Sequence, residues 1–531
     1  MSTRTSFKEG LVLILRDFAG WTSTHAVPHM AMADKVWIFL FWTLVFIVCS
    51  GIMCFMIYTS VVKFLRFPTD LTSRLYPGKQ NFPCITVCNM NPWKLSMIQG
   101  TPLEGLVTAY EAGVQNDYYG FQKKPFTMTD AMRATRWTRF MYEELNELDI
   151  ATNGSLSYSF DDIMLRCQFL EDACNFTNNL NSFYDPYFGR CHTINSEFLW
   201  ESSRAGPNYG MRVFFRTVLD DYLPWVQDSG IVYYIHGPDE TPFQDAFGYF
   251  AAVGLATSAG VNYLERVKLK HPYNDCTDDG TELTNYYGND YEVEACIRSC
   301  IQKAIINDCG CYDPQYNYPT DGNVTSCYLA DNPSEKMTCA DDIINSVDDG
   351  NDNVTFLITR DCDCLQACNQ SYYQISMSQA RWPAKTYVPK TCREQPTSQY
   401  WNNQSECVVW YQYNSLLLEV YFERTNYKSN KESASYTWVN LIADSGGQLG
   451  LWLGMSVLSL FEFAVLAGIL SAYFIRKPPM PTLEGYNYWE EFDQQIQKNP
   501  LKLVHTSTSD YDPSPLVQQP VIVQRPPNVI E

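Results

Sequence analysis

The chain is 531 residues long, 46% of them hydrophobic, and carries a net charge of -21 at pH 7. Three or four soluble domains would fit that length, but the apolar residues gather in two runs, which excludes a wholly soluble protein. So acidic a composition also excludes a nucleic-acid partner, whose phosphates need cationic contacts.

From Val36 to Val62 there are 27 residues without a charge, between Lys35 and Lys63. About 20 apolar residues suffice for a helix to cross hydrocarbon. The run is too long and too far from the N-terminus for a cleaved signal peptide, and Lys63 and Arg66 follow it instead of a small-residue cleavage site. A second run, Leu449 to Ile475, holds a single charge, Glu462, and stops at Arg476 and Lys477. Two spans place both termini on one side, and Lys8, Arg16, Lys35, Arg476 and Lys477 assign that side to the cytoplasm. The expected division is a cytoplasmic segment 1–35, a transmembrane helix 36–62, an extracellular domain 63–437, a pore-lining transmembrane helix 438–475 and a cytoplasmic tail 476–531. After Ser507 the tail bears Pro, Gln and Ser and is expected to be disordered.

Between the spans lie 17 of the 19 cysteines, the others being Cys49 and Cys54 in the first span. Disulfides persist in oxidising compartments, so this segment faces outward. Six glycosylation sequons, at Asn153, Asn175, Asn323, Asn353, Asn369 and Asn403, fall there too. The same segment carries -18 of the net charge, which serves solubility and also concentrates cations and cationic ligands near the membrane.

PCITVCNM, VFFRTVL, IVYYIHG and SLLLEVYFER alternate like strands, and FTMTDAMRATRWTRFMYEEL and YEVEACIRSCIQKAI have helical periodicity. A disulfide-rich α+β extracellular domain follows. Cys296 and Cys300, four apart on a helix, share a face roughly 6 Å apart along the axis. Cys362 and Cys364, two apart on a strand, share a face at a similar rise. The pairs match as rungs, Cys296 with Cys364 and Cys300 with Cys362. Nesting then sets Cys276 with Cys368 outside, Cys309 with Cys339 and Cys311 with Cys327 inside, although spacing alone leaves connectivity open. Such rungs would clamp the helix to a strand, which stabilises the fold and also makes a stalk suited to passing force.

The second span reads LIADSGGQLGLWLGMSVLSLFEFAVLAGILSAYF, with Gly446, Gly447, Gly450 and Gly454 in its outer half. Small residues let helices pack closely, and glycine also lets a helix unwind and turn carbonyls toward a cavity. Around a symmetry axis, Gly454, Met455 and Ser456 would present a ring of oxygens to a dehydrated cation. Glu462 favours this reading over plain packing, since an ionisable residue within hydrocarbon is costly. Eight residues beyond Gly454 on a continuous helix, it would face the same side, deeper in a pore, as an acidic ring. Asp444 would form a second such ring at the outer mouth.

These residues resemble the degenerin, epithelial sodium channel and acid-sensing ion channel superfamily. The likeness rests on the Gly-x-Ser triplet within GGQLGLWLGMS, on FPCITVCN after the first span, on GRCHTIN around Cys191 and on CDCLQAC. It covers nearly the whole chain up to the tail. It implies a homotrimer around one pore, a sodium-selecting constriction at Gly454 to Ser456, cytoplasmic termini and a plasma-membrane location. Ala443 matches a position where bulky side chains hold channels open, and Gly450 one implicated in amiloride block. The likeness further implies disulfides between Cys88 and Cys191 and between Cys167 and Cys174. Cys392 with Cys407 would be an extra bond, leaving Cys84 unpaired. Sodium would be the permeant ion, lipid the surround, and no cofactor or resident metal is expected.

One departure concerns gating. The superfamily's cytoplasmic His-Gly pair stands here as His25 and Ala26, which puts a re-entrant turn in question because alanine tolerates positive φ poorly. Acid-sensing members carry a histidine pair just after the first span, whereas FLRFPTDLTSRL has none, which argues against proton gating. The chain looks most like the branch opened by FMRFamide-type neuropeptides, small, cationic and aromatic agonists that suit an anionic, aromatic-rich domain. Proton-gated, force-gated or constitutive conduction fits the same composition. An ATP-gated channel would need a basic cluster beside the first span. A two-pass ectoenzyme or adhesion protein is the alternative of another class, but Asp444-Ser445-Gly446-Gly447 opens a membrane helix. His192, His236 and His271 lie in no catalytic context, and no His-Glu-x-x-His motif occurs.

Overall fold

The computed structural model describes residues 7–115, 130–148, 156–278, 280, 285–288, 291–319, 324–346 and 356–476. The chain divides into two units, one of Met1–Leu65 with Trp438–Glu531 and the other of Arg66–Thr437.

Three helices come first: α1 (Phe7–Trp21), α2 (Val27–Ala31) and α3 (Val36–Leu65). α3 is 30 residues long and buries none of its side chains in the protomer. It overruns the expected end at residue 62 by about one turn, because no helix breaker precedes Pro68. A proline disfavours helical backbone in the residue before it, and Phe67 takes φ 44.

Arg66–Thr437 is built on strands β1 (Thr69–Pro77), β2 (Cys84–Asn89), β3 (Met164–Phe169), β4 (Asp172–Ala173), β5 (Leu180–Asp185), β6 (Gly189–Ile194), β7 (Met211–Arg216), β8 (Gly230–His236), β9 (Tyr249–Ala252), β10 (Leu255–Val267), β11 (Asn369–Arg381), β12 (Ser415–Phe422) and β13 (Asn426–Ala434). The larger sheet runs β1-β13-β10-β12-β7-β3-β4, with β11 also on β10, and the smaller runs β9-β8-β2-β6-β5. β7 alternates buried Met211, Val213 and Phe215 with half-buried neighbours, as a strand with one covered face must. Its inner face meets Ile85, Val87 and Tyr233 of the smaller sheet and Leu416 and Leu418 of β12 in one core. β1 pairs antiparallel with β13 from Thr69 opposite Ala434 to Pro77 opposite Asn426.

Helices α4 (Glu104–Gln115) and α5 (Asp130–Leu148) pack around a second core, where Trp137 and Trp225 stack at 5.8 Å. Helices α6 (Val293–Cys309) and α7 (Pro333–Ile344) form a third, and α6 stops at Gly310 in the left-handed region, the usual glycine terminator. α8 (Gln404–Asn414) carries Cys407 into a small cluster with Cys392 and Trp401. The strand expected under the two cysteine rungs is not one. Ile358–Asp361 is a helical turn, the next strand is Gln366–Ala367, and Cys362 and Cys364 lie between them on backbone outside any sheet. Alternation with period two belongs to extended backbone whether or not it is paired.

The first unit is completed by α9 (Trp438–Leu453) and α10 (Val457–Arg476), so the last apolar run is two helices where the sequence suggested one. α9 packs along α3 and α1 against α10. Phe18 meets Phe463 at 5.3 Å, and Gly10 lies so close to the Tyr473 ring that a Cβ there would collide with it. Val36–Leu65 and Val457–Ile475 are the two described helices long and apolar enough to cross a membrane.

Candidate functional site

The break between α9 and α10 falls on Gly454, Met455 and Ser456. Gly454 has φ 66, a conformation that glycine enters freely and that ends a helix. Its N–H still donates to Gly450 O at 3.0 Å, and the Met455 N–H to Leu449 O at 3.2 Å. Two residues on, the Ser456 hydroxyl accepts from the Leu458 N–H at 3.2 Å, an N-cap for α10. Glycine as terminator and serine as cap, with one residue between, thus confine the interruption to Gly454, Met455 and Ser456. The carbonyls of Gly454 and Met455 stand outside any helix, which within hydrocarbon is tolerated where backbone lines a polar conduit or is buried in protein.

The N-terminal segment holds this break from one side. The His25 N–H donates to Leu453 O at 2.7 Å, and the His25 ring occupies the space a Cβ on Gly454 would need. Ser23 Oγ lies 2.6 Å from Ser459 Oγ, and Ser459 Oγ in turn accepts from the Ser456 N–H at 3.0 Å. One oxygen of Glu462 accepts from Thr22 Oγ1 at 3.0 Å, from the Ser23 N–H at 2.9 Å and from Ser23 Oγ at 3.2 Å. Glu462 therefore faces the Thr22–His25 segment, and not the direction set by counting eight residues along one helix. The break resets the helical phase, so that count does not carry across it. The turn placed in question at Ala26 is also present: Ala26 takes φ 71 and is 7% exposed. The Met30 N–H donates to its carbonyl at 3.0 Å, and the His25 bond to Leu453 fixes the residue before it. Sequence reasoning missed Thr22, Ser23 and Ser459 as partners of the site. A hydroxyl run just ahead of His25 was the available signal.

Against models of known families, residues 18–466 match the amiloride-sensitive sodium channel family. The chain belongs to that family. It is 26% identical to degenerin-like protein asic-2 of Caenorhabditis elegans over 88% of both chains. With degenerin-like protein unc-105 and degenerin del-1 of the same worm it shares 32% and 33% over 70% and 64% of its own length. It spans only 41% and 49% of those two relatives. Among solved structures, a proton-activated chloride channel aligns at a TM-score of 0.28 and 7% identity over 81% of this chain and 97% of that one, too low for a statement about fold.

The structure locates the remaining positions singled out in the sequence as follows. Ala443, Asp444 and Gly450 lie on α9 and are exposed in the protomer. Eight disulfides join Cys88 to Cys191, Cys167 to Cys174, Cys276 to Cys368, Cys296 to Cys364, Cys300 to Cys362, Cys309 to Cys339, Cys311 to Cys327 and Cys392 to Cys407. Cys84 is free and buried. Burial, with Glu240 and Asp239 nearby, pushes its thiol up to about 12. Asn175, Asn369 and Asn403 are exposed, while Asn153, Asn323 and Asn353, like the tail beyond Arg476, lie outside the described residues. Among the described residues no group of three His, Cys, Asp or Glu is placed to hold a metal ion.

Three further features belong to Arg66–Thr437. His192 and His236 are buried, and desolvation pushes each down to about 4. Each neutral ring is satisfied: His236 sits between Gly237 O at 2.7 Å and Thr86 Oγ1 at 2.8 Å, His192 between Tyr158 O at 3.1 Å and Ser182 Oγ at 2.8 Å. Asp185, by contrast, is pushed up to about 6 by burial and by Asp245. Finally, the Phe67 ring packs edge-on against Tyr273 at 5.5 Å, joining the residue two positions after the first span to the loop that precedes Cys276.

Proposed function

We propose that three copies of this chain surround a central sodium-selective, amiloride-sensitive pore in the plasma membrane, with both termini cytoplasmic, and that an extracellular FMRFamide-like peptide opens it. The observation that supports this most is the interruption of the second span at Gly454–Ser456, which frees backbone oxygens within an apolar run in a chain of the amiloride-sensitive sodium channel family. Oxygens in such a ring replace a cation's hydration shell. Gly450, one turn before the break, is the proposed amiloride contact, Asp444 an outer acidic ring, and Ala443 a gating position. Glu462 serves by fixing the Thr22–His25 segment beneath the constriction.

A peptide is favoured over protons because two of the ectodomain's three histidines, His192 and His236, are buried and neutral with both nitrogens engaged. Asp185, titrating at about 6, favours a second reading in which mild acid modulates or opens the channel. The test is to express the chain alone in oocytes and to apply acid, FMRFamide and amiloride in turn. A peptide-evoked inward sodium current blocked by amiloride is expected. Current evoked by acid without a peptide response would overturn the peptide assignment.

A further inference from the structure

Two of the three residues between α9 and α10 are accounted for by the backbone: Gly454 by its φ of 66, and Ser456 by the cap its hydroxyl gives α10. Met455 is not. Its φ is not positive and its N–H bonds back to Leu449 O, a conformation open to most side chains. Apolar bulk is supplied on both sides by leucine, at Leu449, Leu451, Leu453, Leu458 and Leu460. Position 455 alone in this stretch carries sulfur, so what distinguishes it is the chemistry of the thioether.

That chemistry contrasts with its surroundings. From Gly450 to Glu462 the other groups able to donate a lone pair to a metal ion are backbone carbonyls, the Ser456 and Ser459 hydroxyls and the Glu462 carboxylate, all hard oxygens suited to sodium. Of these, Ser459 and Glu462 are already engaged by Thr22 and Ser23. A thioether is a soft, polarizable donor that selects cuprous ion and its like over hard cations. Met455 is half-buried within the protomer, which leaves part of its surface to meet what lies beside it.

We infer that Met455 from three copies forms a trigonal thioether site for a soft monovalent cation, cuprous or silver ion, within the constriction. The assignment rests on the trimeric pore proposed above and adds to it a class of ion that the pore takes up and does not pass. Conduction requires binding weak enough to be left again. A soft cation held by three sulfurs at once loses that freedom and blocks the path of sodium. Binding is simple ligand exchange: each sulfur donates a lone pair, water leaves the ion, and nothing is oxidised or reduced.

The test uses silver nitrate in chloride-free solution and the full-length chain carrying Cys49→Ser, Cys54→Ser and Cys84→Ser, because these free thiols would themselves take silver. In detergent, one tightly bound silver ion per three chains is expected. Met455→Leu, which keeps volume and apolarity, should weaken that binding at least tenfold. In oocytes, extracellular silver should block the sodium current more deeply at negative potentials, as an ion bound within the membrane field does. Met455→Leu should raise the half-blocking concentration at least tenfold, whereas Met455→Cys, which restores a soft sulfur, should keep the block. Silver binding that depends on Met455 in a chain that conducts nothing would overturn the channel reading and leave the site standing. One silver ion per chain, or binding and block unchanged by Met455→Leu, would overturn the site.

Discussion

Cys296, Cys300 and Cys309 tie α6 to the chain around it by three disulfides. Its Arg298 is buried between Asp245 at 2.9 Å and Glu294 at 2.7 Å, above the Phe243 ring. The break at Gly454 has no covalent tie and no ion pair among the described residues; hydrogen bonds from the Thr22–His25 segment hold it. Covalent rungs fix one geometry over any functional timescale. A few exchangeable bonds define a geometry that can be left and regained, which suits the constriction proposed there.

The sharpest way to break this contrast is at Gly454. Valine there must hold a positive φ that a β-branched residue avoids, and its Cβ would displace the His25 ring. Gly454→Val should abolish current, a loss of more than a hundredfold, while surface labelling stays near normal. Retained current with unchanged ion preference would mean that the break is not the constriction.

The covalent side is tested by the two rungs. In the chain-entropy model a crosslink closing loops with separations of 62 and 68 residues contributes about 4 kcal/mol. The rungs close nearly the same loop, so they are not additive. Replacing Cys296 and Cys364 by serine should lower stability by about 1 kcal/mol or less. Replacing all four should cost about 4 kcal/mol, read as a drop in Tm of the solubilised protein. Additive losses, with both changes together costing twice what one costs, would show that each rung holds separate structure.

Met211–Arg216 was legible because one face of the strand is buried and the sequence alternates accordingly, whereas Cys84–Asn89 alternates in sequence although the fold buries it on both faces. The α6 helix was legible from its period, and the matched rungs at Cys296 and Cys300 from the axial rise. Other pairings, Cys88 with Cys191 above all, came through family likeness and not from spacing. Unwinding at Gly454–Ser456 was legible from the glycines, but the division into two helices of different phase was not, because hydropathy sums side chains and is blind to helix phase. The contacts of Thr22 and Ser23 with Glu462 join residues about 440 apart in sequence, and no local periodicity encodes such a meeting.

Acid should loosen the sheet domain before it touches the rungs. His192 and His236 titrate near 4 when folded, against about 6.5 in an unfolded chain. Below pH 6.5 the unfolded state takes up protons the folded state refuses, so their contribution is complete above that value and is lost as pH falls toward 4. Asp185 acts oppositely, since a carboxyl raised to about 6 stabilises the fold as it is protonated. Two histidines outweigh one carboxyl at pH 5, a net loss of about 3 kcal/mol when each tenfold change in proton affinity is worth about 1.4 kcal/mol. The melting temperature should therefore be lower at pH 5.0 than at pH 7.4; an unchanged or higher value would contradict the buried neutral assignment.

The smallest effect is expected at Ala26. Its φ of 71 costs an alanine about 1 kcal/mol that glycine does not bear, and the bond from His25 to Leu453 is made beside this residue. Ala26→Gly has two opposing consequences: the turn is relieved of strain, and the unfolded chain gains freedom. In the folded channel only the first operates, so the segment beneath the break should dwell longer in the conformation described here. Open probability should change by a few-fold at most, with reversal potential unaltered, because no oxygen of the constriction is touched. A changed reversal potential would instead place residue 26 in the permeation path, and the separation drawn between the constriction and its support would fail.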